Sequence, residues 1–129
     1  MFKLVKEIRS KQGVLHFKRW EIFSLKKRNI HLYLHKIYKA DEDADQHDHP
    51  WNFWSLILKG SYVEKTGGKF IYRQPGSLVH RNAEDTHKIT FLKNRKPVYT
   101  LVLTHGEPRT WGYKTKKGWM DFTTYRSSK

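Results

Sequence analysis

Short apolar and β-branched segments repeat along most of the chain, and glycine, proline, asparagine or aspartate separates them. This spacing is typical of the strands of a β-sandwich or barrel. The pattern predicts strands at residues 15–25, 30–38, 51–59, 61–65, 69–72, 77–81, 87–92, 98–104, 110–113 and 120–125. Gly67 and Gly68 predict a tight hairpin turn, because paired glycines accept the positive φ that such turns require. Residues 94–97 indicate a second turn.

Two segments carry more particular patterns. Residues 2–10 are predicted to form a helix, because Phe2, Leu4 and Ile8 belong to a modest apolar stripe at helical spacing. The segment 30–38 alternates between two faces, with His31, Tyr33 and His35 on one of them and leucines on the other. One face should line the interior of a barrel, and the alternation alone leaves open which one, including whether His35 points inward.

Length and composition narrow the class of protein. The 129 residues predict a single all-β domain over residues 1–129. The chain has no cysteine, so disulfides and thiolate metal ligands are excluded. No apolar run is long enough for a signal peptide or a membrane span, and we therefore expect a cytoplasmic protein with no membrane partner.

The charge is strongly basic, with 26 Lys and Arg against 12 Asp and Glu, or +14 in total. Five of the acids lie close together: Asp41, Glu42, Asp43, Asp45 and Asp48. Such a surface favours anionic partners, either a small anionic ligand or nucleic acid, although a basic surface can equally serve solubility. Aromatic residues among late cations offer a stacking surface for bases; they are Trp111, Tyr113 and Trp119 beside Arg109, Lys114, Lys116 and Lys117.

Candidate metal chemistry centres on two of the eight histidines, His47 and His49. They lie two positions apart at the start of the predicted strand 51–59, so both imidazoles should share one face and be able to share an ion. The same face continues through Trp51 and Phe53, which would form an apolar wall beside a metal.

These residues resemble the two motifs of the cupin family. His47-Asp48-His49 matches the family's His-x-His, with Gly60 in register, and the segment from Gly76 to His87 resembles the second motif, in which His87 falls on the third histidine. The resemblance implies a cupin-type jelly roll, a double-stranded β-helix barrel, with a motif-bearing core at about residues 30–113. The whole chain is similar to small uncharacterised cupin-like proteins of bacteriophages and bacteria, which would place it in the host cytoplasm if phage-encoded.

The chain also departs from the motifs. Phe53 stands where the family has its metal-binding glutamate, and Asn82 and Glu84 replace the proline and glycine of the second motif's turn. The resemblance therefore implies a site of three histidines, His47, His49 and His87, as in the thiol-dioxygenase branch. Such a site would hold a divalent transition metal, Fe(II) first and otherwise Mn(II), Ni(II) or Zn(II).

Other residues could contribute to the same site. Asp45 or Asp48 could supply a carboxylate, but alternation turns Asp48 away from the two histidines. His80 and Arg81 are the candidates for orienting a substrate. Arg73 and Arg81 could flank the mouth of the barrel and hold a carboxylate or phosphate.

Three functions remain open from the sequence. The first is a metal-dependent cupin, an Fe(II) oxygenase acting on a small anionic or nucleotide-like substrate. The second is a non-catalytic cupin module that binds an anionic ligand or nucleic acid. The third is a sugar-nucleotide isomerase or epimerase, with His80 as general base. Since many cupins pair, a homodimer is also expected.

Overall fold

The structure is a computed structural model that describes residues 2–41 and 45–127. Glu42 and Asp43 of the acidic stretch lie outside the described residues. Within these residues, twelve strands and one short α-helix follow each other: β1 (Lys3–Arg9), β2 (Leu15–Leu25), β3 (Ile30–Ile37), β4 (Gln46–His47), β5 (Asn52–Lys59), β6 (Tyr62–Thr66), β7 (Lys69–Arg73), β8 (Leu78–Arg81), β9 (Lys88–Leu92), β10 (Val98–His105), β11 (Gly112–Thr115), β12 (Gly118–Asp121) and α1 (Phe122–Ser127).

The strands form three sheets. A six-stranded sheet has the order β1-β2-β3-β10-β5-β8, and two three-stranded sheets have the orders β12-β11-β4 and β7-β6-β9. All of the strand pairs are antiparallel. Strands distant in sequence are neighbours in space, as β3 and β10 show, and this is the connectivity expected of the predicted jelly roll.

Alternation along β10 separates the inside of the barrel from the outside. Val98, Thr100, Val102 and Thr104 are buried, and the residues between them are more exposed. At one end of the barrel, Val98 packs in a core cluster with Ile57, Tyr62 and Leu92. Further along, the inward residues are smaller or polar, and they border a cavity instead of closing the core.

Glycines occupy turns that other residues would strain. Gly60, the glycine in register with the first motif, has φ of +85°, and a Cβ there would lie 2.6 Å from the carbonyl oxygen of Pro97. Gly67 has φ of +59° in the turn between β6 and β7, so the predicted hairpin is confirmed. The turn expected at residues 94–97 is also present, with Asn94 and Arg95 both at positive φ.

The predicted helix at residues 2–10 is wrong, because this segment forms strand β1. It pairs antiparallel with β2, with Leu4 opposite Trp20 and Ile8 opposite Phe17. The apolar stripe was compatible with either structure, and the free edge of β2 offers this segment a full set of backbone hydrogen-bond partners. Tertiary pairing therefore outweighed local periodicity.

The strand predicted at residues 120–125 is only partly correct. Strand β12 ends at Asp121, whose carboxylate accepts hydrogen bonds from the Thr124 backbone N–H at 3.1 Å and from the Thr123 hydroxyl at 2.8 Å. These bonds satisfy donors at the start of α1, as an N-cap does. The signal for this helix start is Asp121 itself, because aspartate is a favoured N-cap residue.

The outer face of the six-stranded sheet carries an apolar patch. Leu4, Phe23, Trp54, Leu58 and Leu78 are each more than a third exposed on or beside it. Between them lie the partly exposed leucines of β3 and β10, which are Leu32, Leu34, Leu101 and Leu103. The expected homodimer stays a prediction, and this face is the surface on which we expect it. Within the described residues, no helix is long and apolar enough to cross a membrane.

Candidate metal centre

Backbone pairing places two of the predicted ligands side by side. His47 and His87 form an isolated antiparallel bridge, in which each backbone N–H donates to the carbonyl oxygen of the other at 2.9 Å. Directly opposed residues of an antiparallel pair project their side chains to the same face. The imidazoles of His47 and His87 therefore lie together, with ring centroids 4.9 Å apart.

His49 reaches the same point by a different route. The sequence placed His47 and His49 together at the start of the strand 51–59, but His47 belongs to β4, and β5 begins only at Asn52. Pro50, which has no N–H to donate to a ladder, separates the two strands. The chain is held in this bend because the His49 N–H donates to the Ala83 carbonyl and the Ala83 N–H donates to the side-chain oxygen of Asn52.

The three imidazoles converge closely enough to share an ion. One ring nitrogen from each of His47, His49 and His87 lies within 4.8 Å of the others, and Nε2 of His49 is 3.0 Å from Nε2 of His87. Two nitrogens bound to one ion at about 2.1 Å and about 90° apart would be separated by about 3.0 Å. The donor set and its spacing therefore fit a divalent transition metal with three imidazole ligands.

Electrostatics keep these histidines in the form that binds metals. Burial lowers the pKa of His49 and of His87 well below the usual value of 6.5, and the positive charges of neighbouring histidines and Arg81 lower the pKa further. Both imidazoles are therefore neutral near pH 7, with lone pairs available for coordination.

A buried carboxylate, Glu64 on β6, supports the triad, and the sequence analysis did not identify it. The side chain of Glu64 is 1% exposed. It is ion-paired with Arg81 and with Arg73 (3.1 Å to Oε1), and its Oε2 is 3.3 Å from Nδ1 of His87. A carboxylate at Nδ1 directs the Nε2 lone pair of His87 toward the ion site. The sequence feature that could have identified Glu64 is its position two residues after Tyr62, which puts a charged side chain on the same strand face as a buried one.

Phe53 stands against the triad, as the motif alignment predicts. Its ring is 9% exposed and meets the His49 ring edge-on, with centroids 4.6 Å apart. No other histidine, aspartate or glutamate in the described parts of the chain joins the three histidines as a group that could hold a metal. The position of the family's glutamate is therefore filled by an apolar ring that keeps water from one side of the site.

The two aspartates considered as ligands serve other contacts. Asp48 is 2% exposed and faces away from the triad, where its carboxylate accepts hydrogen bonds from the Gly112 N–H (2.6 Å), Trp119 Nε1 (2.8 Å) and Arg109 (3.1 Å). It thereby fastens the hairpin of β11 and β12 to the His-x-His segment. Asp45 accepts a hydrogen bond from the Tyr125 hydroxyl at 3.2 Å.

His80 and Arg81 point in opposite directions on β8, because neighbouring side chains alternate across a strand. Arg81 is 7% exposed and lines the cavity beside the triad, where it is ion-paired with Glu64. His80 is exposed on the outer face, where its ring packs at a tilt against Trp54 and its Nε2 lies 3.0 Å from Nε2 of His105. The structure thus brings Arg81 to the site but not His80, which corrects the expectation that His80 contacts a substrate.

The late aromatic residues do not form one open surface for bases. Tyr113 is 3% exposed and stacks on Tyr125, with ring centroids 3.8 Å apart. Trp111 packs beside His47 at the cavity wall, and the indole N–H of Trp119 is used by Asp48. Of the three residues proposed for stacking, Trp119 alone is exposed, with half of its surface accessible.

The cavity beside the triad has a volume of about 630 Å³. His35 and Ile37 line it, so the odd-numbered face of β3 points into the barrel. Arg19 on β2 also lines it and donates from Nε to Nε2 of His35 at 3.0 Å. Lys18 and Arg19 are adjacent in sequence, and alternation along β2 turns Arg19 toward the cavity.

His35 should make stability depend on pH. Burial, then the charges of Arg19 and Lys6, hold the pKa of His35 well below 6.5, whereas in the unfolded chain this histidine takes up a proton near pH 6.5. The free energy of unfolding therefore falls as the pH drops below about 6.5. His35→Gln, which keeps an acceptor for Arg19 but does not titrate, should reduce the loss between about pH 7.5 and 5.5 by about 1 kcal/mol.

Urea denaturation of metal-free protein at the two pH values measures this effect. His80→Gln, a change at an exposed histidine, is the matched control and should keep the wild-type loss. An unchanged pH dependence in His35→Gln would show that the pKa of His35 is the same in the folded and the unfolded chain.

Comparison with known proteins shows similarity at the level of structure. No family model and no curated protein matches the chain. A cupin-2 domain protein from Rhodospirillum rubrum superposes with a TM-score of 0.69 at 16% sequence identity, covering 98% of this chain and 82% of that one. The chain adopts the cupin fold.

Two further structures with the cupin fold have names that refer to a metal ion or to an enzyme activity. Fe(II)-HppE, solved with an alternative substrate, has a TM-score of 0.64 at 14% identity; the match covers 80% of this chain but only 55% of that one. A candidate mannose-6-phosphate isomerase from Ralstonia eutropha has a TM-score of 0.61 at 16% identity, covering 69% and 83%. At these identities the comparisons establish the fold, and the phage or bacterial type suggested by the sequence stays a prediction.

Proposed function

We propose that this cupin binds a divalent metal ion through His47, His49 and His87 and acts as an Fe(II)-dependent oxygenase on a small anionic substrate. The observation that carries the proposal is the convergence of three imidazoles, two of them held neutral by burial, at the wall of a cavity of about 630 Å³. A bound Fe(II) with three protein ligands would supply open coordination positions for O₂ or substrate.

The residues around the triad would prepare the site for such chemistry. Glu64 would orient His87, and the ion pairs with Arg81 and Arg73 would hold Glu64 in place. Phe53 would exclude water from the side of His49. A contact between Arg81 and the substrate stays a prediction, because at least one of its Nη donors is already used by Glu64. The solved Fe(II)-HppE offers a precedent for Fe(II) in this fold.

The second candidate is a cupin module that binds an anion without catalysis. Phe53, in the place of a carboxylate ligand, favours it, because three neutral ligands leave the charge of the ion uncompensated. The isomerase or epimerase is less well supported: His80, the base it required, lies outside the cavity. Nucleic acid, a homodimer and a cytoplasmic location also remain predictions.

Nitric oxide, which binds Fe(II) at a position open to O₂, tests whether the centre has the open position that an oxygenase requires. Wild-type protein loaded with Fe(II) without oxygen should give the electron paramagnetic resonance signal of a ferrous nitrosyl centre. His47→Ala, His49→Ala protein at the same iron concentration should give the signal of unbound iron. Absence of a protein-bound nitrosyl signal in wild type that does bind Fe(II) would contradict an oxygenase.

Phe53→Glu should tighten binding of Mn(II) or Fe(II) by about 10-fold, which corresponds to about 1.4 kcal/mol. The Coulomb attraction between a carboxylate and a divalent ion in direct contact exceeds this value even when solvent reduces it. Phe53→Gln, which has the same length but no charge, is the matched control and should gain much less. Metal competition assays measure both. Unchanged affinity in folded Phe53→Glu would show that this side chain does not face the ion.

A further inference from the structure

Arg19 sits in an unusual setting for a cation inside a barrel. Its guanidinium carbon lies 4.9 Å from the ring centroid of Tyr33, 5.3 Å from that of Trp51 and 5.6 Å from that of Phe17. Nε donates to Nε2 of His35 at 3.0 Å. Aromatic faces and one imidazole thus fix the guanidinium plane at the cavity wall, so little side-chain entropy remains to be lost on binding a ligand.

The donors of Arg19 are mostly unused. Neither Nη atom donates a hydrogen bond to any residue within 2–41 or 45–127. His35 accepts from Nε, but because its pKa is held well below 6.5 it is neutral and cancels no charge. Arginines elsewhere in the interior differ, since Arg81 and Arg73 are paired with Glu64.

Other cations stand beside Arg19 at the same cavity. Lys6 and Arg126 line it, and the pKa of Lys6 is lowered by burial and by the charges of Arg19 and Arg126. Among the described residues, two acids line it and are outnumbered by the cations: Glu64 is paired with two arginines, and Asp41, which accepts the Ile89 N–H at 2.7 Å, keeps its charge. This wall of the cavity therefore carries excess positive charge that an anion would offset.

We infer that Arg19, with Lys6 opposite it on β1 and Arg126 lining the same cavity, anchors the tetrahedral dianionic group of a small substrate, a phosphate monoester or a phosphonate. A planar guanidinium with free Nη donors can hold two oxygens of such a group side by side. Three cations at one wall favour a dianion over a single carboxylate. This inference rests on the proposed function. The substrate would bind Arg19 through its anionic end and react at the triad through its other end.

Trp51 links the anchor to the triad. Its ring packs against Arg19, and in sequence it follows His47 and His49 at alternate positions, all three lining the cavity. A substrate held by its phosphoryl group at Arg19 would lie along the face of Trp51 toward the three histidines. The anchor would therefore select substrates by length as well as by charge.

Calorimetric titration of metal-free, full-length protein tests the anchor without involving the triad. Methylphosphonate and inorganic phosphate are expected to bind, and acetate to bind more weakly. Arg19→Gln should weaken methylphosphonate binding by at least ~10-fold, the size of a lost charge-assisted hydrogen bond. Metal affinity of the variant should match wild type.

Lys18→Gln is the matched control, because it removes one positive charge from the adjacent position, which alternation turns to the other face of β2. It should change the dissociation constant by less than ~2-fold, since solvent and salt screen a charge on that face from the cavity. If Arg19→Gln fails to fold, Arg19→Lys replaces it; this variant keeps the charge, loses the planar fork and should still bind methylphosphonate several-fold more weakly, about 3-fold or more.

Several outcomes would overturn the anchor: methylphosphonate binding that is unchanged in Arg19→Gln, equal losses in Arg19→Gln and Lys18→Gln, or acetate binding as tightly as methylphosphonate. A long oligonucleotide that displaces methylphosphonate and depends equally on Arg19 would overturn the small-substrate assignment. Failure of the proposed function is distinguishable, because it would leave Arg19-dependent anion binding intact in protein that binds no metal ion.

Discussion

Replacing His49 with alanine is expected to weaken divalent metal binding by at least ~10-fold, and by ~100-fold or more together with His47→Ala. The reason is geometric. Nε2 of His49 and Nε2 of His87 lie 3.0 Å apart, and with His49 removed the ion would retain two protein ligands at most from the triad. Competition with a chromophoric chelator, using Zn(II) to avoid oxidation, measures the affinity.

His80→Ala is the control for this experiment. His80 and His105 also bring two Nε2 atoms to 3.0 Å, but on the outer face of the sheet and without a third ligand among the described residues. We expect this variant to keep wild-type affinity for the first ion. A larger loss in His80→Ala than in His49→Ala would move the metal site to the outer face and contradict the assignment.

Glu64→Gln should lower the free energy of unfolding by about 3–5 kcal/mol, the cost of removing one partner of a buried ion pair. Glu64 is 1% exposed, and its loss as a carboxylate would leave Arg81, itself 7% exposed, without a counter-charge. The variant should also bind metal about 10- to 100-fold more weakly, because Nδ1 of His87 would lose its carboxylate partner.

Urea denaturation of metal-free protein separates the two effects. Glu84→Gln makes the same chemical change at an exposed position and should alter stability by less than about 0.5 kcal/mol. A loss below about 1 kcal/mol in Glu64→Gln would mean that Arg81 and Arg73 find other partners. Normal stability with reduced metal affinity would show that Glu64 orients His87 but does not stabilise the fold.

Much of the fold followed from alternation along single strands. The strands around Leu32, Ile57 and Val102 have one apolar and one mixed face, and each forms where the pattern predicts. The N-terminal segment could not be assigned this way, because Leu4 and Ile8 fit a helix and a strand equally well. Its pairing with Trp20 and Phe17 depends on residues distant in sequence.

The candidate site, like the fold, could be predicted from the sequence only in part. His47, His49 and His87 were found through their spacing and the cupin resemblance, and the structure brings them together. Glu64 and Arg19 were missed because neither lies in a motif, and each matters only through strands that the fold places beside it. His80 was misplaced because the direction of alternation on β8 cannot be known until Arg81 is seen to face the cavity.

Elemental analysis tests the central claim most directly. Wild-type chain reconstituted with Fe(II) without oxygen, or with Zn(II), and then desalted should retain about one ion per chain, as expected for a single three-histidine centre. The His47→Ala, His49→Ala variant treated in parallel should retain almost none while giving the same circular dichroism spectrum. Equal metal content in the two proteins, or none in wild type, would contradict a metal centre at these histidines.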